Sequence, residues 1–320
     1  MTSPSSQPVA SGAQLVASPH RWHGLARLAD PKVSLASFAS LFLGSAAAAV
    51  AGPLHGGWLL LTVLGIFAIE VAKNAMGEVV DWDSGVDQAV APDERSPFSG
   101  GKRVLVDGLL SRRETQGIGA IAYAVGIACG LAIAFGRAPV VLWIGLVGVA
   151  LAHAYHGWPL RLAYHGLGEL AVMVTYGPLI AAGAYAVQVG HLDRAVVLAA
   201  LPLGLLIGAF LWINEFPDHR ADAAGGKRNL VVRLGRQRAS RVFAAILAVA
   251  FGLLVLLPFL GLPPGVLLGL VAAIPAFAAA RRLMDSPESV ARIIPAQAWT
   301  LFAFLLYALG AGTGWYLTGS

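Results

Sequence analysis

Nine apolar runs divide most of this 320-residue chain, near 33–52, 57–77, 115–136, 138–155, 167–188, 195–214, 240–260, 264–281 and 297–318. Each is about 17–22 residues long, the length at which a helix crosses roughly 30 Å of hydrocarbon. A segment in lipid must satisfy its own backbone polar groups, so only helices or a closed barrel can span. Barrel strands would read as alternating segments of about ten residues, and none are present. Composition removes the soluble alternatives. With 57% apolar residues, 12% charged residues and a mean hydropathy of +0.72, a water-soluble globule would expose large apolar patches. Disorder needs the opposite balance. The chain is expected to be all-α, a polytopic membrane protein with nine transmembrane helices in a bundle and polar cap loops or short helices.

Residues 1–24 are rich in Ser, Pro, Gln and Ala and read as a flexible tail, leaving 25–320 as one transmembrane domain. A basic segment followed directly by an apolar core, the mark of a signal peptide, is missing. The single cysteine, Cys129, excludes an intrachain disulfide. The net charge of +5 needs no nucleic acid, because cytoplasmic loops of membrane proteins carry excess Lys and Arg. Arg21, Arg27 and Lys32 precede the first run. Arg95, Lys102, Arg103, Arg112 and Arg113 follow the second, Arg161 the fourth, and Arg220, Lys227, Arg228, Arg233, Arg236 and Arg238 the sixth. Arg281, Arg282 and Arg292 follow the eighth, whereas only Arg137 and Arg194 fall on the opposite side. This places the N-terminus in the cytoplasm and the C-terminus outside.

Two long polar loops on that cytoplasmic face, about 78–114 and 215–239, hold 11 of the 17 acidic residues. Long connections in compact domains are usually functional or disordered. The apolar patterning of Val104-Leu105-Val106 and Leu230-Val231-Val232 argues for order. Asn74, Glu78 and Asp81 are spaced i, i+4, i+7, and Asn214, Asp218 and Asp222 are spaced i, i+4, i+8. Each set shares a helical face. Glu70 extends the first stripe one turn deeper, and Asp87 follows it. Stacked carboxylates repel one another, and near hydrocarbon each charge costs roughly 2.5–3.5 kcal/mol, so a cation is expected to neutralise them. All-oxygen donors favour a hard ion, and Mg²⁺, which binds through one or two carboxylates plus phosphate oxygens, is the default.

Basic residues follow each acidic set: Lys102 and Arg103 after Gly100-Gly101, Lys227 and Arg228 after Gly225-Gly226. Glycines admit close backbone approach, and Lys or Arg pairs with phosphate. Neither segment is a P-loop. The loop after the fourth run carries Tyr155, Trp158, Arg161 and Tyr164; Tyr155 and Arg161 are candidate substrate contacts. Its histidines lack the spacing of a zinc site, and Glu169 at the next helix start suits the helix dipole.

With these two acidic sets after the second and sixth of nine spans, the chain resembles the UbiA-type intramembrane prenyltransferases over residues 25–318. Within that family, Asp81-Trp-Asp-Ser-Gly85-Val-Asp87, Lys227-Arg-Asn-Leu-Val-Val-Arg233-Leu-Gly235 and Pro159-Leu-Arg161 resemble the menaquinone branch, which prenylates 1,4-dihydroxy-2-naphthoate. The resemblance implies an enzyme of a bacterial or archaeal cell membrane. It implies Mg²⁺ bridging Asp81, Asp87, Asp218 and Asp222 to a polyprenyl diphosphate, with Asn74 and Asn214 orienting ligands. Lys102, Arg103, Lys227, Arg228 and Arg161 would offset the charge of the leaving group, and an aromatic acceptor would attack the allylic cation. Glu78 stands where the family has Asp, either as a ligand or as an acceptor that orients Asn74 or a metal-bound water. Other acceptors (4-hydroxybenzoate, a chlorin, a haem, a glycerol phospholipid) stay open, as does a cation or proton transporter using Glu70, Glu78 and Glu169.

Overall fold

A computed structural model describes residues 20–319. The expected tail therefore lies outside the described residues up to position 19, and its last five residues begin a helix. That helix, α1 (His20–Ala29), buries Leu28 and leaves Trp22 exposed. α2 (Pro31–Ala51), α3 (Gly56–Ser84), α4 (Arg112–Gly136), α5 (Val141–His156) and α6 (Gly168–Val189) follow. α7 (Arg194–Ala224), α8 (Arg236–Leu256), α9 (Pro264–Asp285) and α10 (Val290–Thr318) complete the chain. Among the described residues there is no β-strand.

Eight of these segments, with α1 and α2 counted as one, are long and apolar enough to cross a membrane. The ninth expected span is the 16-residue α5, about 24 Å long at 1.5 Å per residue. Its apolar run begins at 138, but Pro139 and Val140 form a turn that shortens the helix.

Local chemistry sets the ends. Ser111 and Glu114 form a reciprocal capping box at the start of α4. Asp193 caps α7 by accepting the Ala195 N–H at 2.7 Å. α7 is the central post of the bundle: Leu203, Leu206, Ile213 and Phe216 are fully buried on it. It crosses α6 where a Cβ on Gly177 would come 2.5 Å from the Gly204 Cα, the close approach that small residues permit in membranes. Phe135, Phe259, Ile274 and Phe277 are exposed, as a lipid-facing surface requires.

α3 has 29 residues and α7 has 31, against the ~20 a membrane needs. Each therefore carries two to three extra turns beyond the hydrocarbon, and those turns hold the acidic residues.

Candidate active site

The ends of α3 and α7 dock where Val86 meets Gly225; a Cβ at Gly225 would come 2.2 Å from the Val86 side chain. This contact brings Asp81 and Asp87 opposite Asp218 and Asp222. After α7 the chain reverses through Gly226, at φ +74°, and Lys227 returns between the two sets. Its Nζ lies 3.5 Å from Asp81 and 3.7 Å from Asp222. Asn229 caps the short helix Leu230–Leu234 through Val232, and its amide donates to Asp222 at 2.7 Å.

Asp81 also accepts the Tyr164 hydroxyl at 2.7 Å, and that hydroxyl lies 2.8 Å from Ser84 Oγ. The Arg161 guanidinium stacks 3.8 Å over the Tyr164 ring. Asp87 faces the loop: a Cβ at Gly101, whose φ is +74°, would come 2.3 Å from Asp87 Oδ1. Asp218 has a buried Oδ1 with no partner. Burial, with Asp81 and Glu78 close by, pushes the Asp87 carboxyl up to about 7. For Lys227, burial opposes the charge, but Asp222 and Asp81 outweigh it and raise its pKa. Burial and the neighbouring Asp81 raise the Tyr164 phenol.

Several residues singled out in the sequence have partners outside the cluster, although Glu78 lies close to Asp87 and Arg103 donates to the Asp87 carbonyl at 3.4 Å. The Asn74 amide donates to the Leu28 carbonyl of α1 at 2.8 Å. Glu78 accepts the Leu105 N–H at 2.8 Å and so anchors the 102–110 loop. Asn214 accepts from Gln297 of α10 at 3.0 Å. Lys102 pairs with Asp30 at 3.2 Å, and Arg103 with Asp107 at 3.1 Å. Arg228 has an exposed side chain, while its N–H donates to the Tyr164 carbonyl at 3.1 Å. The cluster proper is Asp81, Asp87, Asp218, Asp222 and Lys227, with Tyr164 and Arg161 at its edge. Among the described residues, no three acids or imidazoles form a ready-made metal shell.

Deeper along α3, a cavity of about 320 Å³ lies between α3, α4, α5 and α6. Its lining is mostly aliphatic. Glu70, Lys73, Tyr155 and Tyr176 supply polar groups at the end toward the acids. Lys73 escaped the sequence reading because it interrupts an apolar run by a single residue.

Residues 37–300 match the family model of the UbiA prenyltransferase family. The chain belongs to that family. It is therefore a prenyltransferase and an integral membrane enzyme, and the transporter alternative falls. It is 31% identical over 284 residues to the 1,4-dihydroxy-2-naphthoate octaprenyltransferase of Mycobacterium tuberculosis, covering 88% of this chain and 92% of that one. It is 28% identical to the enzyme of the same name from Bacillus subtilis, over 70% of each chain. A UbiA homolog from Archaeoglobus fulgidus, solved bound to GPP and Mg²⁺, shares the fold with a TM-score of 0.59 at 16% identity, over 91% of this chain and 99% of that one. A UbiA homolog from Aeropyrum pernix gives a TM-score of 0.60 at 19% identity, over 86% and 96%.

Proposed function

We propose that this prenyltransferase moves a polyprenyl group from a polyprenyl diphosphate to an aromatic acceptor of the 1,4-dihydroxy-2-naphthoate class, a step of menaquinone biosynthesis. One observation carries the reading: Asp81 and Asp222, from two helix ends, share Lys227, with Asp87 and Asp218 next to them, beside a largely aliphatic cavity. The names of the M. tuberculosis and B. subtilis relatives support the acceptor class.

The donor set fits a divalent cation. The unpartnered buried oxygen of Asp218 and the concentration of carboxylates around one ammonium leave negative charge uncompensated, and hard oxygen donors suit Mg²⁺. Asp81, Asp87, Asp218 and Asp222 would hold it, with diphosphate oxygens completing the shell. Asn74, Glu78 and Asn214 are already engaged with α1, the 102–110 loop and α10. When bound, Mg²⁺ supplies Lewis-acid stabilisation of the departing diphosphate.

The remaining chemistry belongs to side chains. Lys227 is held charged where the diphosphate leaves and places a fixed positive group beside it. Tyr164 orients Asp81, and Arg161 braces Tyr164. As the C1–O bond breaks, its electron pair leaves with the diphosphate. The largely aliphatic cavity keeps water from the allylic cation. A ring carbon of the acceptor then bonds to C1 and gives up its own substituent, a proton to water or CO2 where that carbon bears the carboxylate, and the electron pair of the broken bond restores the aromatic ring. The Lys and Arg distribution supports a cytoplasmic N-terminus, a C-terminus outside and diphosphate entry from the cytoplasm.

Incubating membranes that contain the protein with a labelled polyprenyl diphosphate and a panel of acceptors tests this. Label should enter 1,4-dihydroxy-2-naphthoate in preference to 4-hydroxybenzoate, chlorin, haem or glycerol phospholipid. Transfer to a different member of the panel would replace the acceptor assigned here.

A further inference from the structure

Lys73 lies in the membrane-spanning part of α3, eight residues before Asp81 and so about 12 Å deeper along the axis. The row Lys73, Gly77, Asp81 is the face that α3 turns toward α5. The His156 imidazole packs into the space Gly77 leaves, where a Cβ would come 2.5 Å from its Cε1. Asp81 meets Tyr164 just beyond α5. Lys73 lines the cavity. Its ammonium lies 5.6 Å from the ring centroids of both Tyr155 and Tyr176, and 3.4 Å from the Tyr176 hydroxyl.

Among the described residues no carboxylate oxygen pairs directly with this ammonium, and Glu70 and Asp30 act on it only from farther away. Glu70, one turn away, accepts hydroxyl hydrogens from Ser34 at 3.0 Å and Ser37 at 2.5 Å on its two oxygens and also bonds Tyr176, so three hydroxyls already hold it. A charged side chain held inside a membrane bundle marks a binding or transfer site unless a partner neutralises it. The cavity is the side from which a directly paired anion can reach it. Two aromatic rings flank the ammonium, and the cavity walls beyond are aliphatic. A planar aromatic ring bearing one acidic group matches all three surfaces: ring against ring, hydrocarbon against hydrocarbon, anion against ammonium.

We propose that Lys73 is a specificity-determining residue that holds the carboxylate of an aromatic acid acceptor. This rests on the prenyl transfer to an aromatic acceptor argued above and deepens it, because it assigns the acceptor's acidic group to a particular side chain. The His156 imidazole fills the α3 face between Lys73 and Asp81 and so sets Lys73 apart from the donor's diphosphate.

The test compares 1,4-dihydroxy-2-naphthoate with 1,4-dihydroxynaphthalene, which has the same rings and hydroxyls but no carboxylate. Both are assayed anaerobically with polyprenyl diphosphate and Mg²⁺, using purified wild type, Lys73→Gln and Lys73→Arg. A charge-assisted hydrogen bond should make wild type favour the acid by about 10–100-fold in kcat/KM. Lys73→Gln should lose that preference through a raised KM for the acid, with the KM for the diphosphate and the use of the neutral compound changed by less than about threefold. Lys73→Arg should retain most of the preference. A Lys73→Gln protein that still favours the acid overturns the inference alone. Equal use of both compounds by wild type also overturns it, whatever the variants do. Use of neither compound overturns the proposed function, and the inference with it.

Discussion

Replacing Glu78 separates two roles that one carboxylate could have. As a metal ligand it would tolerate Asp better than Gln, because charge matters more than reach. The structure gives it a different partner. Its Oε1 accepts the Leu105 N–H at 2.8 Å, where Glu78 is 4% exposed and Leu105 7%. Glu78→Ala leaves that buried N–H unpaired, a cost of about 1–3 kcal/mol. Glu78→Gln keeps an oxygen at the same reach and loses mainly the charge assistance, about 1 kcal/mol. Glu78→Asp is shorter by one C–C bond, about 1.5 Å, and should lose most of the contact despite keeping its charge. The loop it anchors carries Gly101, packed on Asp87, so loosening the loop should also slow turnover. Thermal melting and a Mg²⁺ titration of prenyl transfer give the readout. The expected order is wild type, then Gln, then Asp and Ala together, with little change in the Mg²⁺ requirement. Near-normal turnover in Asp with a dead Gln and a raised Mg²⁺ requirement would refute the anchoring argument and restore Glu78 as a ligand.

Other outcomes follow from the same geometry. Lys227→Met leaves Asp81 and Asp222 without their common cation, and breaking such a buried pair costs about 3–5 kcal/mol; melting should fall, and added Mg²⁺ should recover part of it. Asp87 titrates near 7 rather than at its ordinary 3.8, and a ligand must shed its proton to bind metal. Apparent Mg²⁺ affinity should therefore rise as pH climbs through 7, and Asp87→Asn should flatten that dependence. Without divalent cations the sign for stability is the reverse: the folded state holds this proton more tightly, so melting should decline as pH rises from about 4 to about 7. A cysteine placed at 93 or 226 should resist an impermeant thiol reagent in intact cells; labelling from outside would overturn the cytoplasmic assignment.

Much of the architecture was legible because lipid imposes simple rules. Apolar runs of membrane-spanning length gave the helices, and the excess length of α3 and α7 was readable as polar residues continuing past those runs. Asp81, Asp87, Asp218, Asp222 and Lys227 were all singled out by residue type and spacing. Periodicity reports which residues share a face, but not which neighbour that face meets. Asn74 and Glu78 therefore looked equivalent to Asp81, although α1 and the 102–110 loop claim them. Asn214 matched them by pattern and is taken by Gln297. Lys102 and Arg103 resembled phosphate ligands, and their carboxylate partners, Asp30 and Asp107, became apparent only once α1 and the loop were packed. Lys73 was hidden for the opposite reason: one cation inside an apolar run carries no pattern, and its meaning comes from the cavity it lines.

Turnover of a labelled polyprenyl diphosphate by wild type, Asp218→Asn and Asp222→Asn, each with Mg²⁺ and with chelator, tests the central claim most directly. Each substitution removes one negative oxygen and keeps the side-chain shape, and a neutral amide costs less beside lipid than a carboxylate. If these acids hold the cation that stabilises the leaving diphosphate, wild type should transfer only with Mg²⁺. Both variants should then lose at least about a hundredfold in rate, in line with the loss of a transition-state charge contact; Asp218→Asn should melt near the wild-type temperature, and Asp222→Asn, which takes a carboxylate from Lys227, should melt lower. Full transfer by wild type in chelator, or by both variants in Mg²⁺, would contradict the account.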